Sequence, residues 1–240
     1  MTQSAPPVPP PAASAQGAPK PEPNATADAP RTLGGLVRTM LTRGSPLTLI
    51  LMVLGFGACR LSMGGWTWVD AVIPFVIAAW WPFQEWLIHT HLLHFRPRKV
   101  GPFTIDFFQA EKHRRHHMHP WNFADLSIPT RTYVTAVPIL CAIGYLCWNT
   151  PAVFTGLTVF VAFGLHYEWC HFMAHSNYVP RTTLYKTVWR NHRLHHFKNE
   201  TLWMGVSTRV GDLVLGTCPD QKTVERSPTC RTLGIVVPPA

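Results

Sequence analysis

Ten of the chain's 13 histidines fall into four spaced groups. His89 and His94 form H-x4-H, and His113, His116 and His117 form H-x-x-H-H. His171 and His175 form H-x3-H, and His192, His195 and His196 repeat H-x-x-H-H. Imidazole is the commonest metal ligand among side chains, so the array reads as a metal site. Residues four apart on a helix lie about 40° apart around it, so His171 and His175 can grip one ion together. Adjacent residues diverge by about 100°, so His116 and His117 favour different ions, as do His195 and His196. The two H-x-x-H-H units therefore point to a two-metal site with ligands splayed from each helix.

The number of ligands bears on the metal. Zinc takes four ligands, three of them from protein in catalytic sites, and ten histidines exceed what one or two zinc ions need. Five imidazoles per ion leave a sixth position, which suits an octahedral redox metal such as iron, although imidazole sites also bind zinc well. Neutral ligands leave the site strongly cationic, so carboxylates are expected around it. Glu85 precedes His89 by four residues and Glu168 precedes His171 by three; Glu111, Asp125 and Glu200 are weaker candidates. No side chain breaks an unactivated C–H bond, so the expected chemistry is metal-dependent oxidation with O₂ as co-substrate. Trp80, Trp81, Phe83, Trp86, Trp169 and Phe172 read first as an aromatic belt at the membrane surface and second as walls that keep water from the site.

The elements that must position these histidines are apolar. Charged residues make up only 14% of the chain, against 47% hydrophobic residues. Four apolar stretches run over 46–59 (extending towards 66), 72–88, 133–148 and 152–170. Each approaches the roughly 20 residues that cross a bilayer as a helix. Pro74, Pro82 and Pro138 within them are tolerable in membrane helices, where neighbours satisfy the freed carbonyls. The net charge of +9 is not gathered on one stripe, which argues against nucleic acid. Lys20, Arg31, Arg38 and Arg43 precede the first stretch, and Arg60 alone separates the first from the second. Seven basic residues lie between Arg96 and Arg131, none between the third and fourth stretches, and nine after the fourth. Four spans with both termini and the 95–131 segment cytoplasmic satisfy this asymmetry, and every histidine group then falls on the cytoplasmic side. The expected fold is all-α: a four-span transmembrane bundle with a cytoplasmic, histidine-lined di-metal cap over 31–240. Residues 1–30 hold nine of the 23 prolines and read as a disordered Pro/Ala-rich tail. The six cysteines contain no C-x-x-C pair and read as small buried hydrophobes plus two free thiols, Cys218 and Cys230.

At its motifs the sequence resembles the fatty acid hydroxylase/sterol desaturase superfamily of membrane di-iron enzymes over roughly residues 70–217, and within it the fatty acid 2-hydroxylase branch. The residues concerned are His89 to Pro97, His113 to Pro120 with Asp125 and Pro129, Tyr167 to His175, and Asn191 to Phe197 continuing through Gly205–Thr208 to Leu215–Thr217. In the third motif Glu168 stands where the branch often has Asp. The resemblance implies two non-haem iron sites, one held by His89, His113, His116, His192 and His195, the other by His94, His117, His171, His175 and His196. His91, His119 and His166 have no place in that partition. It also implies hydroxylation of an acyl chain near its carbonyl end. With no fused cytochrome b5 motif, electrons would come from a separate donor, cytochrome b5-like or a ferredoxin with its reductase. The alternatives are a sterol, hopanoid or carotenoid oxidase of the same superfamily, a membrane haem protein carrying electrons, and a metal transporter or sensor.

Overall fold

In a computed structural model of the chain, which describes residues 29–148 and 150–235, the four apolar stretches form long helices. The Pro/Ala-rich tail expected over 1–30 lies, apart from Ala29 and Pro30, outside the described residues. A short helix α1 (Leu33–Leu41), capped by the Thr32 hydroxyl, precedes the first long helix α2 (Gly44–Met63). Next comes α3 (Trp68–Leu87), which runs without a break into a π-helical turn, Ile88–Leu93. A hairpin of two three-residue strands follows, β1 (Arg98–Val100) and β2 (Phe103–Ile105), turned at Gly101 with φ +60°. The remaining helices are α4 (Phe108–Met118), α5 (Phe123–Leu126), α6 (Thr130–Trp148), α7 (Ala152–Ala174), α8 (Thr183–Phe197) and α9 (Val210–Val214).

Among the described residues four segments are long and apolar enough to cross a membrane: Ser45–Met63, Trp68–Leu93, Phe123–Gly144 and Ala152–Ala174. Their outer faces carry exposed Leu51, Leu54, Leu61, Phe75, Val76 and Ile143, an apolar surface suited to a lipid solvent. Helix α7 lies centrally, packed on α2, α3, α6 and α8. Among the described residues the small hairpin is the one sheet in an otherwise helical fold.

The two ends of the bundle differ in chemistry. At one end Arg60, Asp70 and Thr155 tie α2, α3 and α7 together. The Arg60 guanidinium reaches Asp70 through two bonds of 2.8 Å, and the Thr155 hydroxyl donates to Asp70 at 2.5 Å. Asp70 also caps α3 through the Thr67 amide at 2.9 Å. Among the described residues every charge there is answered, so this end is a clamp. Beside it an apolar groove of about 440 Å³ opens between α3, α6 and α7, lined among others by Val69, Ile73, Gly144 and Phe160. Trp81 packs against Phe160, which lines that groove, and against Phe163. At the opposite end the histidines converge.

Candidate metal centre

Helix α3 delivers His89 and its π-helical extension delivers His94. In an α-helix residues five apart lie about 140° apart, but the wider π turn returns the fifth residue to nearly the same face. The His94 amide bonds back to the His89 carbonyl at 3.2 Å, the i to i+5 contact that defines that turn. Helix α4 presents His113 and His117 on one face and His116 on another. The end of α7 presents His171 and His175, and α8 presents His192 and His196 on one face and His195 on another.

The result is two clusters of five. The first joins His89, His94, His113, His117 and His195, and the second joins His116, His171, His175, His192 and His196; within each, one nitrogen per ring lies within 4.8 Å of the others. All ten sequence-selected histidines are therefore brought together, and His91, His119 and His166 stay outside. Only the grouping differs from the one that the resemblance implied. His94 and His117 belong with His89, while His116 and His192 belong with His171. The physical reason is that every pair four apart on a helix shares a cluster, and the π turn makes His89 and His94 share one too.

Backbone carbonyls fix the tautomers of three of the five rings in the first cluster. Nδ1 of His89 lies 2.5 Å from the Met204 carbonyl, that of His195 lies 2.9 Å from Leu202, and that of His117 lies 2.9 Å from Cys230. A carbonyl only accepts, so each of these Nδ1 atoms carries a proton and each Nε2 turns a bare lone pair inward. Yet the Nε2 atoms of His195 and His117 stand 3.2 Å apart. Two lone pairs at that distance with no proton between them repel, and a cation between them removes the conflict. In the second cluster His116 Nε2 lies 3.1 Å from each of His171, His175 and His196, more neighbours than one ring nitrogen can hydrogen-bond. An ion with nitrogen ligands at about 2.1 Å in octahedral array sets neighbouring ligands about 3.0 Å apart, so the donors fit such an ion. Burial holds the imidazoles of His94, His113, His116, His175, His192, His195 and His196 well below the usual pKa and that of His117 down at about 3. They are therefore neutral, as ligands must be.

None of the five expected carboxylates bonds a histidine ring. Glu85 instead accepts from the backbone amides of Val206 and Ser207, the Ser207 hydroxyl and, at 3.0 Å, the Trp81 indole. Asp212, which the spacing argument passed over, accepts from the amides of Met204 and Gly205 at 2.8 Å. Four successive amides are thus held by two buried carboxylates, and this fixes the Met204 carbonyl that orients His89. Gly205 is required in this loop, because a Cβ there would sit 1.9 Å from the Thr208 carbonyl. Glu168 braces the bundle through Ser45, Ile128 and Tyr133. Glu111 and Asp125 pair with Arg115 near the surface, and Glu200 bonds Thr229. The carboxylates thus act on the scaffold around the clusters, while main-chain carbonyls take the ring protons of His89, His117 and His195. Asp212 had one signal in the sequence, an acid inside the apolar run Val210–Leu215; the carbonyls had none.

Trp81 and Phe172 are buried as walls would be, whereas Trp80 is exposed as a belt residue would be. The described cysteines are all free thiols, Cys170 and Cys230 buried.

A family model described as fatty acid hydroxylase matches residues 74–217, which include every clustered histidine. The chain is 27% identical over 160 residues to a dihydroceramide fatty acyl 2-hydroxylase of Arabidopsis thaliana, covering 63% of this chain and 63% of that protein. It is 28% identical to the human fatty acid 2-hydroxylase over 59% of this chain and 38% of that one. It is 30% identical to the ceramide very long chain fatty acid hydroxylase of Saccharomyces cerevisiae over 57% of this chain and 35% of that one. The chain thus spans less than two thirds of the length of each of these relatives. Its fold matches the hydroxylase domain visible in full-length scs7p with a TM-score of 0.60 and 19% identity, over 76% of this chain and 68% of that one.

Proposed function

Because the chain belongs to the fatty acid hydroxylase family, we propose that it is a membrane di-iron oxygenase that uses O₂ to hydroxylate a lipid acyl chain near its carbonyl end. The observation that carries this reading is the pair of five-imidazole clusters whose inward lone pairs call for cations. The ten clustered histidines would hold two iron ions, which supply the O₂ chemistry that no side chain can. Zinc would fill the same imidazole sites in overexpressed protein.

The chain's own residues do the rest. Met204, Leu202 and Cys230 hold ring protons on the outer nitrogens, keeping the inner ones free to bind. The buried walls of the clusters exclude water, which would quench an oxidant. The clusters lie where the spans end, so the polar head of a lipid would sit at headgroup depth beside them while its tail follows the apolar surface of the spans. The domain would comprise residues 31–240, with a separate protein as electron donor. Lipid profiling of cells with and without the gene tests the reaction: new 2-hydroxyacyl lipids are expected. Changed sterols, hopanoids or carotenoids with unchanged acyl chains would overturn the substrate and keep the oxygenase.

The basic asymmetry supports a cytoplasmic metal site. Reporter fusions at residues 30, 110 and 200 should all report the cytoplasm, and fusions near 67 and 150 the other side. Residues 110 and 200 reporting opposite sides would refute the reading, since both flank the same clusters.

A further inference from the structure

The proposed reaction needs electrons, and the inference drawn from that need rests on the reading above. Placing one atom of O₂ in a C–H bond and turning the other into water consumes two electrons and two protons beyond those of the substrate. The structure gives the two clusters unequal access to a donor. Among the described ring contacts, the imidazoles of the first cluster meet only other imidazoles. The second cluster meets three other aromatic rings: Tyr167 5.7 Å from His171, Trp121 6.2 Å from His175 and Phe197 6.1 Å from His196, all between ring centres. Tyr167 is buried within α7. Trp121 and Phe197 are partly exposed and stack on each other at 6.3 Å with 20° between planes. One stacked pair therefore joins the surface to two rings of the second cluster.

Charge gathers around that pair. The Arg193 guanidinium lies 5.4 Å from the Trp121 ring and 4.0 Å from Trp189, and that of Arg231 lies 5.7 Å from Phe197. Along α8, Lys186, Arg190, Arg193 and Phe197 recur at intervals of four, three and four, which puts them on one face of the helix. Lys186 and Arg190 are exposed. Beyond α7 the chain holds nine basic and four acidic residues, and two of the acids, Glu200 and Asp212, are buried in the scaffold. Arg115, close to Trp121 in sequence, is already paired with Glu111 and Asp125.

We propose that the Trp121–Phe197 pair is where electrons reach the second cluster, and that the Lys186–Arg190 face of α8 docks an acidic one-electron carrier protein, haem or iron–sulfur. Each docking oxidises one carrier by one electron, so two carriers serve one turnover, with the two protons drawn from solvent. Opposite charge speeds encounter and orients the carrier, and the stacked rings shorten the gap the electron must cross.

The test uses the full-length, metal-loaded protein in detergent with two acidic carriers as probes, a soluble cytochrome b5 haem domain and a plant-type ferredoxin. Carrier binding, the rate of carrier oxidation and the metal content are read separately. The double variant Lys186→Glu/Arg190→Glu should weaken carrier binding at least about tenfold at low salt and flatten its salt dependence, with oxidation at saturating carrier unchanged. Trp121→Leu should slow oxidation of saturating carrier while carrier affinity and both ions are retained, and Trp121→Phe should restore most of the rate. Unchanged carrier affinity in the charge-reversed protein, or wild-type oxidation rates in Trp121→Leu, would overturn the proposal. Loss of an ion in Trp121→Leu would overturn it too, by making Trp121 a support for His175. Failure of the hydroxylase reading appears elsewhere: the wild-type protein would oxidise carrier yet form no hydroxylated lipid.

Discussion

Replacing any one of the ten clustered histidines by alanine should abolish turnover, a loss of more than about 100-fold, since even groups that merely orient ligands cost 10–100-fold. Each ring contributes one inward nitrogen, and a site that acts as a unit does not degrade in proportion. Alanine at His91, His119 or His166, which lie outside both clusters, should leave most of the activity. Metal analysis of a double variant then tests the grouping itself. His113 belongs to the first cluster and His192 to the second, so His113→Ala/His192→Ala should lose both ions. The grouping implied by resemblance puts both residues on one ion, and retention of one full equivalent would favour it over the geometry described here.

Glu85→Ala should have the next largest effect, although Glu85 touches no imidazole. The change would leave the buried amides of Val206 and Ser207 without acceptors, at about 1–3 kcal/mol each. That is a large share of the roughly 5–15 kcal/mol that holds a typical domain folded. The expected outcome is a sharply reduced folded yield on size exclusion, with the surviving protein depleted in the ion of the first cluster because the Met204 carbonyl no longer holds His89. Asp212→Ala should act in the same direction through Met204 and Gly205. Glu85→Gln keeps an acceptor oxygen for the two amides and should be milder. Full folded yield with two ions in Glu85→Ala would sink the argument that the loop sets the ring.

Much of this was legible in the sequence because its signals are strong ones. Long apolar runs broken by basic clusters announce spans whatever the details of packing, and histidines spaced at helical intervals announce ligands. Even the grouping lay within reach: His113 with His117, His171 with His175 and His192 with His196 all obey the four-residue rule. The pair His89 and His94 does not, since five residues put them on different faces of an α-helix, and nothing in Ile88–Leu93 marks a π turn in advance. The support of the rings was illegible for a different reason. Main-chain carbonyls have no sequence signature, so the reading assigned their work to carboxylates. Glu85 and Glu168, expected as carboxylates around the ligands, are buried, yet most of their partners are amides and hydroxyls from distant segments. Those partners depend on tertiary folding.

The carbonyl that orients His117 belongs to Cys230, 34 residues beyond the last clustered histidine, His196. The C-terminal segment is therefore part of the metal centre although it supplies no ligand. All ten rings precede residue 197, and among the described contacts the outer nitrogens of His116, His175, His192 and His196 have no partner from the segment after it. The first cluster draws on Leu202, Met204 and Cys230 to fix three of its ring protons. A chain truncated between residues 205 and 229 would keep all ten rings and the Leu202 and Met204 carbonyls but lack the acceptor that fixes His117.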